Sequence, residues 1–230
     1  MADRFFDAVH VPSLVQADRQ RSYELLIALI SRPGGSDAKG ALDGDGDDDG
    51  DDVGDDDGDG DDTAVGLGPP LGSMSASQQL ESVVAACDGE KDPRNVLLVC
   101  ELWALLPHAF CGPVTGTPAH RAAFAASAEE LYDVVAMYFP VSFRPPPGDS
   151  VRITHEQLAA TLRGAMCASA CYAPFAVPHV LESLEPSKNP RVQEDALAAL
   201  AACGSAFGRA AMAPHLPTVW GALRGLLLHP

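Results

Sequence analysis

Apolar residues recur every three or four positions in several separate stretches of this chain, which is the pattern of amphipathic helices. The first such stretch runs from Ser13 to Ile30 and places Tyr23, Leu26, Ile27 and Ile30 on one face. The alternating pattern of a strand does not persist beyond four residues anywhere, and alanine is abundant. The pattern therefore predicts an all-α protein.

Later helices begin at local start signals. Asp92 and Asn189 each precede a proline, so a side chain can cap the first free amides while the ring occupies a position that needs no amide hydrogen. Ser127 with Glu130, and Thr154 with Gln157, have the spacing of capping boxes. The predicted helices are Gln78 to Cys87, Asp92 to near Pro107, Ser127 to Phe139 (ended by Pro140), Thr154 to about Ala170, and one starting at Pro190.

Three of these helices have a predicted inner face. After Asp92, Glu101 falls off the apolar stripe and is expected to face solvent. The small residues around Ala198 let neighbouring helices approach closely. The residues expected inside are Leu97, Leu98, Leu102 and Leu105; Leu131, Val134, Val135 and Tyr138; and Val192, Ala196, Leu197 and Leu200.

A faint internal repeat marks the last quarter of the chain. The pair Pro178-His179 recurs thirty-six residues later as Pro214-His215, a period slightly below the roughly 40 to 47 residues of HEAT units. His179 and His215 are predicted to lie near helix starts and to serve the repeat structure rather than catalysis. The final stretch LRGLLLHP leaves an apolar face without a following repeat, which is expected of a piece of a longer solenoid.

Two segments carry a resemblance to a known family. They read DGEKDPRNVLL from Asp88 to Leu98 and LYDVVAMYFPVSFRPPPGD from Leu131 to Asp149. Together with His10 to Leu29 before them and Ile153 to Met166 after them, they follow the order found in the N-terminal domain of the MMS-nineteen (methyl-methanesulfonate-sensitivity) family, which the chain resembles over about half its length. The resemblance implies a HEAT-repeat α-solenoid, with residues 1–230 forming a partial N-terminal HEAT-repeat domain.

The same resemblance implies a function. It suggests a non-enzymatic adaptor of the cytosolic iron-sulfur targeting complex, with a WD40-type propeller subunit and a small α+β subunit as partners. Its clients would be apo iron-sulfur proteins, namely DNA-repair helicases, polymerases and primase. In the family the complex partners are thought to bind C-terminal repeats, so this region would supply part of the client-facing arm. Two alternatives stay open: a generic HEAT-repeat scaffold of transport or chromosome type, and an acidic regulatory or calcium-binding protein.

Charge is concentrated in one low-complexity stretch. Residues 43–62 hold thirteen aspartates, and without them the formal charge of −17 becomes −4. A run of Asp and Gly cannot bury apolar surface and repels itself, so residues 33–73 are predicted to be a disordered insertion between two helices. The remainder has no basic stripe, which argues against direct binding of nucleic acid.

The start of the chain lacks the features of a signal peptide, and the apolar run from Val96 to Leu106 is short and interrupted by Glu101. The chain is therefore expected in the cytoplasm and nucleus and not in a membrane. Its six cysteines then belong to a reducing compartment, in which disulfides are disfavoured.

Three groups of residues suggest a metal site but fit it poorly. Asp45, Asp47, Asp49, Gly50 and Asp56 match the letters of a calcium loop, yet the glutamate at position twelve and the flanking helices are missing. The predicted helix places Cys167 and Cys171 on one face with Cys203 two helices on, and buried structural thiols are the favoured interpretation. His155-Glu156 does not continue into a zinc motif, since Ala159 replaces the second histidine.

No catalytic, cofactor-binding or metal-binding residue is therefore predicted, and no cofactor. The run Pro145-Pro146-Pro147 could bind an SH3 or WW domain. A rigid connector between repeats, anchored by Phe139 and Phe143, is the favoured interpretation.

Overall fold

A computed structural model describes residues 15–31, 74–113, 115–143, 153–185 and 189–228. Within those residues there is no strand, so the predicted all-α class is confirmed. The helices are α1 (Gln16–Ile30), α2 (Ala76–Cys87), α3 (Pro93–Cys111), α4 (Pro118–Ala126), α5 (Ala128–Ala136), α6 (His155–Met166), α7 (Ala173–Glu182), α8 (Pro190–Ala206), α9 (Gly208–Met212) and α10 (Leu216–Leu228). Short 3₁₀ turns, Ala170–Tyr172 and Ala213–His215, precede α7 and α10.

The helices form two rows. In one row α1 packs on α3, α3 on α6, and α6 on α8. In the other row α2 packs on α4 and α5, α5 on α7, and α7 on α9. From α1 onward the chain alternates between the rows, so that successive helix pairs stack side by side. This is the helical-repeat solenoid that the sequence predicted.

Most of the predicted start signals are confirmed. The side chains of Asp92 and Asn189 accept the amides of Arg94 and Arg191, each at 2.9 Å. The Thr154 hydroxyl accepts the Gln157 amide at 3.1 Å, which is the N-cap half of the capping box predicted there. An additional capping box, Ser75 with Gln78, starts α2 two residues before the predicted position.

The capping box predicted at Ser127 and Glu130 is wrong. Ser127 is the single residue between α4 and α5, its φ and ψ are −92° and 8°, and its side chain makes no cap hydrogen bond. The Ser127 amide instead bonds the Ala123 carbonyl at 2.9 Å. Because Ser127 is still bonded into the last turn of α4, it does not take up the extended conformation of a capping residue. The helix α4 itself lies in a stretch to which the sequence assigned no helix.

The predicted end of α3 near Pro107 is also wrong, because the helix continues to Cys111. A proline inside a helix removes one amide donor and crowds the carbonyl four residues before it. Here Leu106 and Phe110 are buried on the same face, and Phe110 lies 6.3 Å from the ring of Phe124 in α4. Burial of these side chains outweighs the unfavourable proline.

Other boundaries are shorter than predicted, since α5 ends at Ala136 and α6 at Met166. The two Pro-His pairs are not equivalent. Pro178 lies inside α7 and His179 in its last turn, whereas Pro214 and His215 belong to the 3₁₀ turn before α10. The helical repeat is real, but this pair of dipeptides does not define its period.

A continuous core fills the space between the rows. Trp103 of α3 is fully buried and donates its indole N–H to the Leu131 carbonyl of α5 at 2.6 Å. Leu197 was predicted inside but is 40% exposed, because α8 turns Ala199 and Cys203 inward instead. Five other residues predicted inside are only half-buried: Leu97, Leu98, Leu105, Tyr138 and Val192. Those confirmed as buried are Tyr23, Leu26, Leu102, Leu131, Val134, Val135, Ala196 and Leu200, and Glu101 is exposed as predicted.

The acidic insertion at 33–73, the calcium-loop letters within it and the run Pro145-Pro146-Pro147 lie outside the described residues. The predictions made for them stay predictions, as does the partition of residues 1–230 into a domain and an insertion.

Candidate functional site

The first family motif forms a tight turn between α2 and α3. Gly89 has a φ of +72°, a conformation that residues with a Cβ rarely adopt. This geometry turns the chain so that the side chain of Glu90 points into the protein, while Asp92 starts α3. Glu90 is consequently the one charged residue that is buried among those described.

The Glu90 carboxylate is held from several elements at once. Its oxygens accept the amides of Lys91 and Asp92 at 2.8 and 3.0 Å and the side-chain amide of Asn95 at 3.0 Å. They also accept Arg19 of α1, whose Nε lies 2.9 Å and Nη2 3.2 Å away. The Tyr23 hydroxyl lies 3.2 Å from Oε2 of Glu90. A single carboxylate therefore ties α1, the turn and α3 together.

The pKa of Glu90 reflects this environment. Burial alone would raise it, but hydrogen bonds from the Asp92 amide, Arg19, Asn95 and the Lys91 amide outweigh that effect and hold the pKa below its usual value. Burial raises the pKa of Tyr23, as do the nearby Cys87 and Glu90. Glu90 is thus a charged, fully engaged structural anion, and not a carboxyl group poised to exchange protons.

The second family motif meets this turn directly. Tyr138, at the end of α5, donates its hydroxyl to the Glu90 carbonyl at 2.9 Å. An open groove lies beside the contact, with a volume of about 350 Å³. The two motifs that carry the family resemblance form most of its wall, and α6 closes it. Its lining residues are Glu90, Lys91, Pro93, Val96, Met137, Tyr138, Pro140, Val141, Ser142, Phe143, Leu158 and Leu162.

The groove is mainly apolar, with a charged group at its rim. Leu158 and Leu162 are buried at its base, and Met137 is 56% exposed at its mouth. Lys91 is exposed, while the charge of Glu90 is already compensated by Arg19. The groove can therefore accept an apolar side chain with an acidic neighbour.

His155, the first residue of α6, fixes the segment that forms the groove wall. Its Nε2 lies 3.0 Å from the Val141 carbonyl and 3.3 Å from Oδ2 of Asp195 in α8. An exposed ion pair, Arg191 with Glu156 at 2.6 Å, spans the same two helices. The contacts of His155 therefore connect a loop to two successive repeats.

The three cysteines singled out in the sequence are only partly brought together. Cys167 caps the C-terminal end of α6, and Cys171 lies in the 3₁₀ turn. The prediction that these two cysteines share one helix face is therefore wrong. Cys171 is exposed, which contradicts its predicted burial. Cys167 and Cys203 are buried and their sulfur atoms are 3.4 Å apart.

His179 is a packing residue. Its Nδ1 lies 2.9 Å from the Tyr132 hydroxyl, and its ring makes edge contacts with Tyr132 and Phe139. Burial lowers its pKa, although Glu182 and Asp133 act in the opposite sense. Its predicted role in the repeat structure agrees with these contacts, even though its predicted position at a helix start does not.

Across the residues that the structure describes, no group of three or more His, Cys, Asp or Glu side chains could hold a metal ion. One helix, α3, is long and apolar enough to cross a membrane by length and composition, and the pair α6 and α7, bent by 91°, passes the same test jointly. The side chains of Leu102, Trp103 and Leu106 in α3 are buried in the protein's own core.

Sequence reasoning did not identify Glu90, Arg19, Tyr23 or Tyr138 as a connected set. The motif around Asp88 does contain a usable signal, because a glutamate follows directly on a glycine and precedes a helix cap. A glutamate at this position lies next to the backbone amides that precede the helix, which have no partner within the helix. Its partners in α1 are more than sixty residues away in sequence, and no periodicity could have revealed them.

Two rows of alternating helices, joined at a turn that borders an apolar groove, define a helical-repeat protein. The model of the family described as "Dos2-interacting transcription regulator of RNA-Pol-II", the MMS19 N-terminal family, matches residues 60–229. Since this is well over half of the chain, the chain belongs to the MMS19 family, as the sequence motifs indicated.

Relatives are found across the eukaryotes. The chain is 33% identical over 141 residues to the MMS19 nucleotide excision repair protein homolog of Danio rerio. It is 30% identical over 141 residues to the protein of that name from Homo sapiens. It is 32% identical over 145 residues to the MMS19 DNA repair/transcription protein of Saccharomyces cerevisiae. These alignments cover 61 to 63% of this chain but only 12 to 13% of the relatives.

Proposed function

We propose that this chain is a non-enzymatic HEAT-repeat scaffold that acts in DNA repair and transcription, as the names of its relatives suggest. More specifically, we propose that it serves the cytosolic iron-sulfur targeting complex and helps deliver clusters to apo-proteins in the cytoplasm and nucleus. The clients would be helicases, polymerases and primase, and a WD40-type propeller and a small α+β subunit would be the complex partners.

The observation that supports a scaffold function is the placement of the family motifs. Asp88 to Leu98 and Leu131 to Asp149 lie far apart in sequence, yet their described parts meet around one groove. Their polar residues are used for structure, since the Glu90 carboxylate is engaged by its own neighbours. What the motifs leave accessible is an apolar surface, which suits binding of another protein.

We assign this groove to client contact. Its base is apolar and its rim carries Lys91, so the matching client segment would present an apolar side chain next to a carboxylate. Met137 is the natural residue for a test, because its side chain is 56% exposed at the groove. Changing it should alter the surface without disturbing the core.

The test is affinity purification of client proteins from native extract on immobilised wild-type chain, Met137→Asp and Leu197→Asp. Leu197 is a matched control: it is 40% exposed and lies on α8, outside the groove. We expect the wild type and Leu197→Asp to recover iron-sulfur proteins of DNA repair in similar amounts. The amount recovered on Met137→Asp should be at least severalfold lower.

Two results would contradict parts of the proposal. Equal recovery of iron-sulfur proteins on all three baits would show that the groove does not bind clients, but it would be consistent with the adaptor function. Bound proteins without any iron-sulfur protein among them would contradict the adaptor function and favour the generic HEAT-repeat scaffold instead.

A further inference from the structure

Cys167 and Cys203 form a close thiol pair between two consecutive repeats. Cys167 ends α6 and Cys203 lies in α8, two neighbouring helices of the same row. Their sulfur atoms are 3.4 Å apart, close enough for one thiol to donate to the other. The Cys167 thiol also faces the Ala199 carbonyl at 4.0 Å, so Ala199 and Cys203, one turn apart on α8, both face Cys167.

We propose that Cys167 and Cys203 are a reversible disulfide site that locks α6 to α8 when a hydroperoxide oxidises the pair. A disulfide requires a sulfur separation of about 2.05 Å, so the two sulfur atoms need to approach by about 1.4 Å from their present 3.4 Å. The site differs from the groove and does not depend on the proposed adaptor function.

The position of the pair is compatible with reaction. Cys203 is fully buried, but Cys167 is 8% exposed and lies where α6 ends, so the pair is at the edge of the core. A small peroxide can reach such a site when the end of the helix opens. The hydrogen bond from the Cys167 thiol lowers the pKa of Cys203, and the same bond raises that of Cys167.

The chemistry balances with a hydroperoxide as the oxidant. The thiolate of one cysteine attacks one peroxide oxygen, the O–O bond breaks, and the leaving oxide takes up a proton to become water or an alcohol. The sulfenic acid that results is attacked by the sulfur of the other cysteine, which forms the S–S bond and releases water. Two thiols lose two electrons and two protons, and the peroxide is reduced. A dithiol reductant reverses the change by exchange.

Two other cysteines have surroundings that differ from those of this pair. Cys100 is buried in α3, and burial raises its pKa to about 12. Cys171 is exposed only four residues after Cys167, but it lies in a different element. These two residues supply the controls.

The experiment uses the whole chain in the Cys171→Ala background. Trypsin would otherwise leave Cys167 and Cys171 in one peptide, because the chain has no Lys or Arg between Arg163 and Lys188. The folded, reduced protein is treated with hydrogen peroxide, remaining thiols are blocked with an alkylating reagent, and peptides are identified by mass spectrometry.

We expect a crosslink between the peptides containing Cys167 and Cys203, with loss of two hydrogens and reversal by dithiothreitol. The unfolding temperature should rise by several degrees on oxidation, because the bond closes a loop of thirty-six residues. Cys100→Ala should leave both results unchanged, and Cys203→Ala should remove both.

Three outcomes would overturn the proposal: free thiols after treatment of the folded protein, oxidation of Cys203 to sulfinic acid without a crosslink, or a crosslink that forms only in denaturant. The first two are measured in Cys171→Ala itself, so the test does not require that Cys203→Ala folds.

Discussion

At the scale of single residues, Glu90 has an unusual role for a glutamate in a turn. It joins elements that are distant in sequence through charge-assisted hydrogen bonds, which are stronger than neutral ones. The cost of burying its charge is offset by six donor groups from five residues, two of them the backbone amides of the turn before α3.

Glu90→Gln tests this role while keeping the shape of the side chain. In the variant, the side-chain NH₂ of the new glutamine would face donors that in the wild type bond to a carboxylate oxygen. We therefore expect the free energy of unfolding at neutral pH to fall by about 2 to 4 kcal/mol. Denaturant titration followed by circular dichroism measures it. Glu101→Gln, an exposed change in α3, should stay within about 0.5 kcal/mol of wild type.

The pH dependence of that difference gives a second readout. Because the pKa of Glu90 is lower in the folded protein than in the unfolded chain, the carboxylate contributes its full stabilisation above the unfolded pKa of about 4.3. The contribution is lost as the pH falls through the folded pKa. The difference in unfolding free energy between wild type and Glu90→Gln should therefore become smaller at acidic pH. A difference that stays constant or grows as the pH falls would contradict the description of Glu90 as a charged group in the folded protein.

At the scale of elements, local sequence signals and tertiary packing contribute differently. The caps at Asp92, Thr154 and Asn189 were predictable because a cap and its amide are two or three residues apart. The end of α3 was not, since Phe110 is buried against α4, a contact that no local pattern reveals. Leu197 shows the same limit: in an alanine-rich helix several faces fit the period, and packing on α6 and α7 decides which is inside.

Two tyrosines at element boundaries make a matched pair for testing such contacts. Tyr138 donates to the Glu90 carbonyl and so joins the end of α5 to the turn, whereas the hydroxyl of Tyr172 is buried without a hydrogen-bond partner in the described structure. Tyr138→Phe should cost about 1 kcal/mol of unfolding free energy, and Tyr172→Phe should be neutral or stabilising. Equal destabilisation by both changes, measured by thermal and denaturant unfolding, would refute this description of the two sites.

At the scale of the whole molecule, the two rows and the family could be predicted from the sequence, and the groove could not. The helical class followed from periodicity and the family from the two motifs. The convergence of those motifs depends on the contact of Tyr138 with the α2–α3 turn, and on His155 holding Val141. These contacts arise only after the rows have formed. The sequence pattern therefore identifies the segments that line the groove, but it does not predict that they lie next to each other.

The dependence of function on the stacked rows leads to the last prediction. Leu131, Val134 and Val135 are buried in the core on one face of α5. Replacing all three with Asp buries three charges at a cost of several kcal/mol and should unfold this part of the solenoid. If the proposed adaptor function holds, cells that carry the triple variant should incorporate less radioactive iron into a repair helicase.

Replacing residues 33–73 by a glycine-serine linker of about 12 residues, which can span up to about 40 Å, is the matched control. This stretch lies outside the two motifs that meet at the groove, so iron incorporation should stay at the wild-type level. Normal incorporation with the triple variant, at equal protein abundance, would show that client loading does not need this region. Reduced incorporation with the linker variant alone would instead move the functional surface to the acidic insertion, because the core that holds the groove would be unchanged.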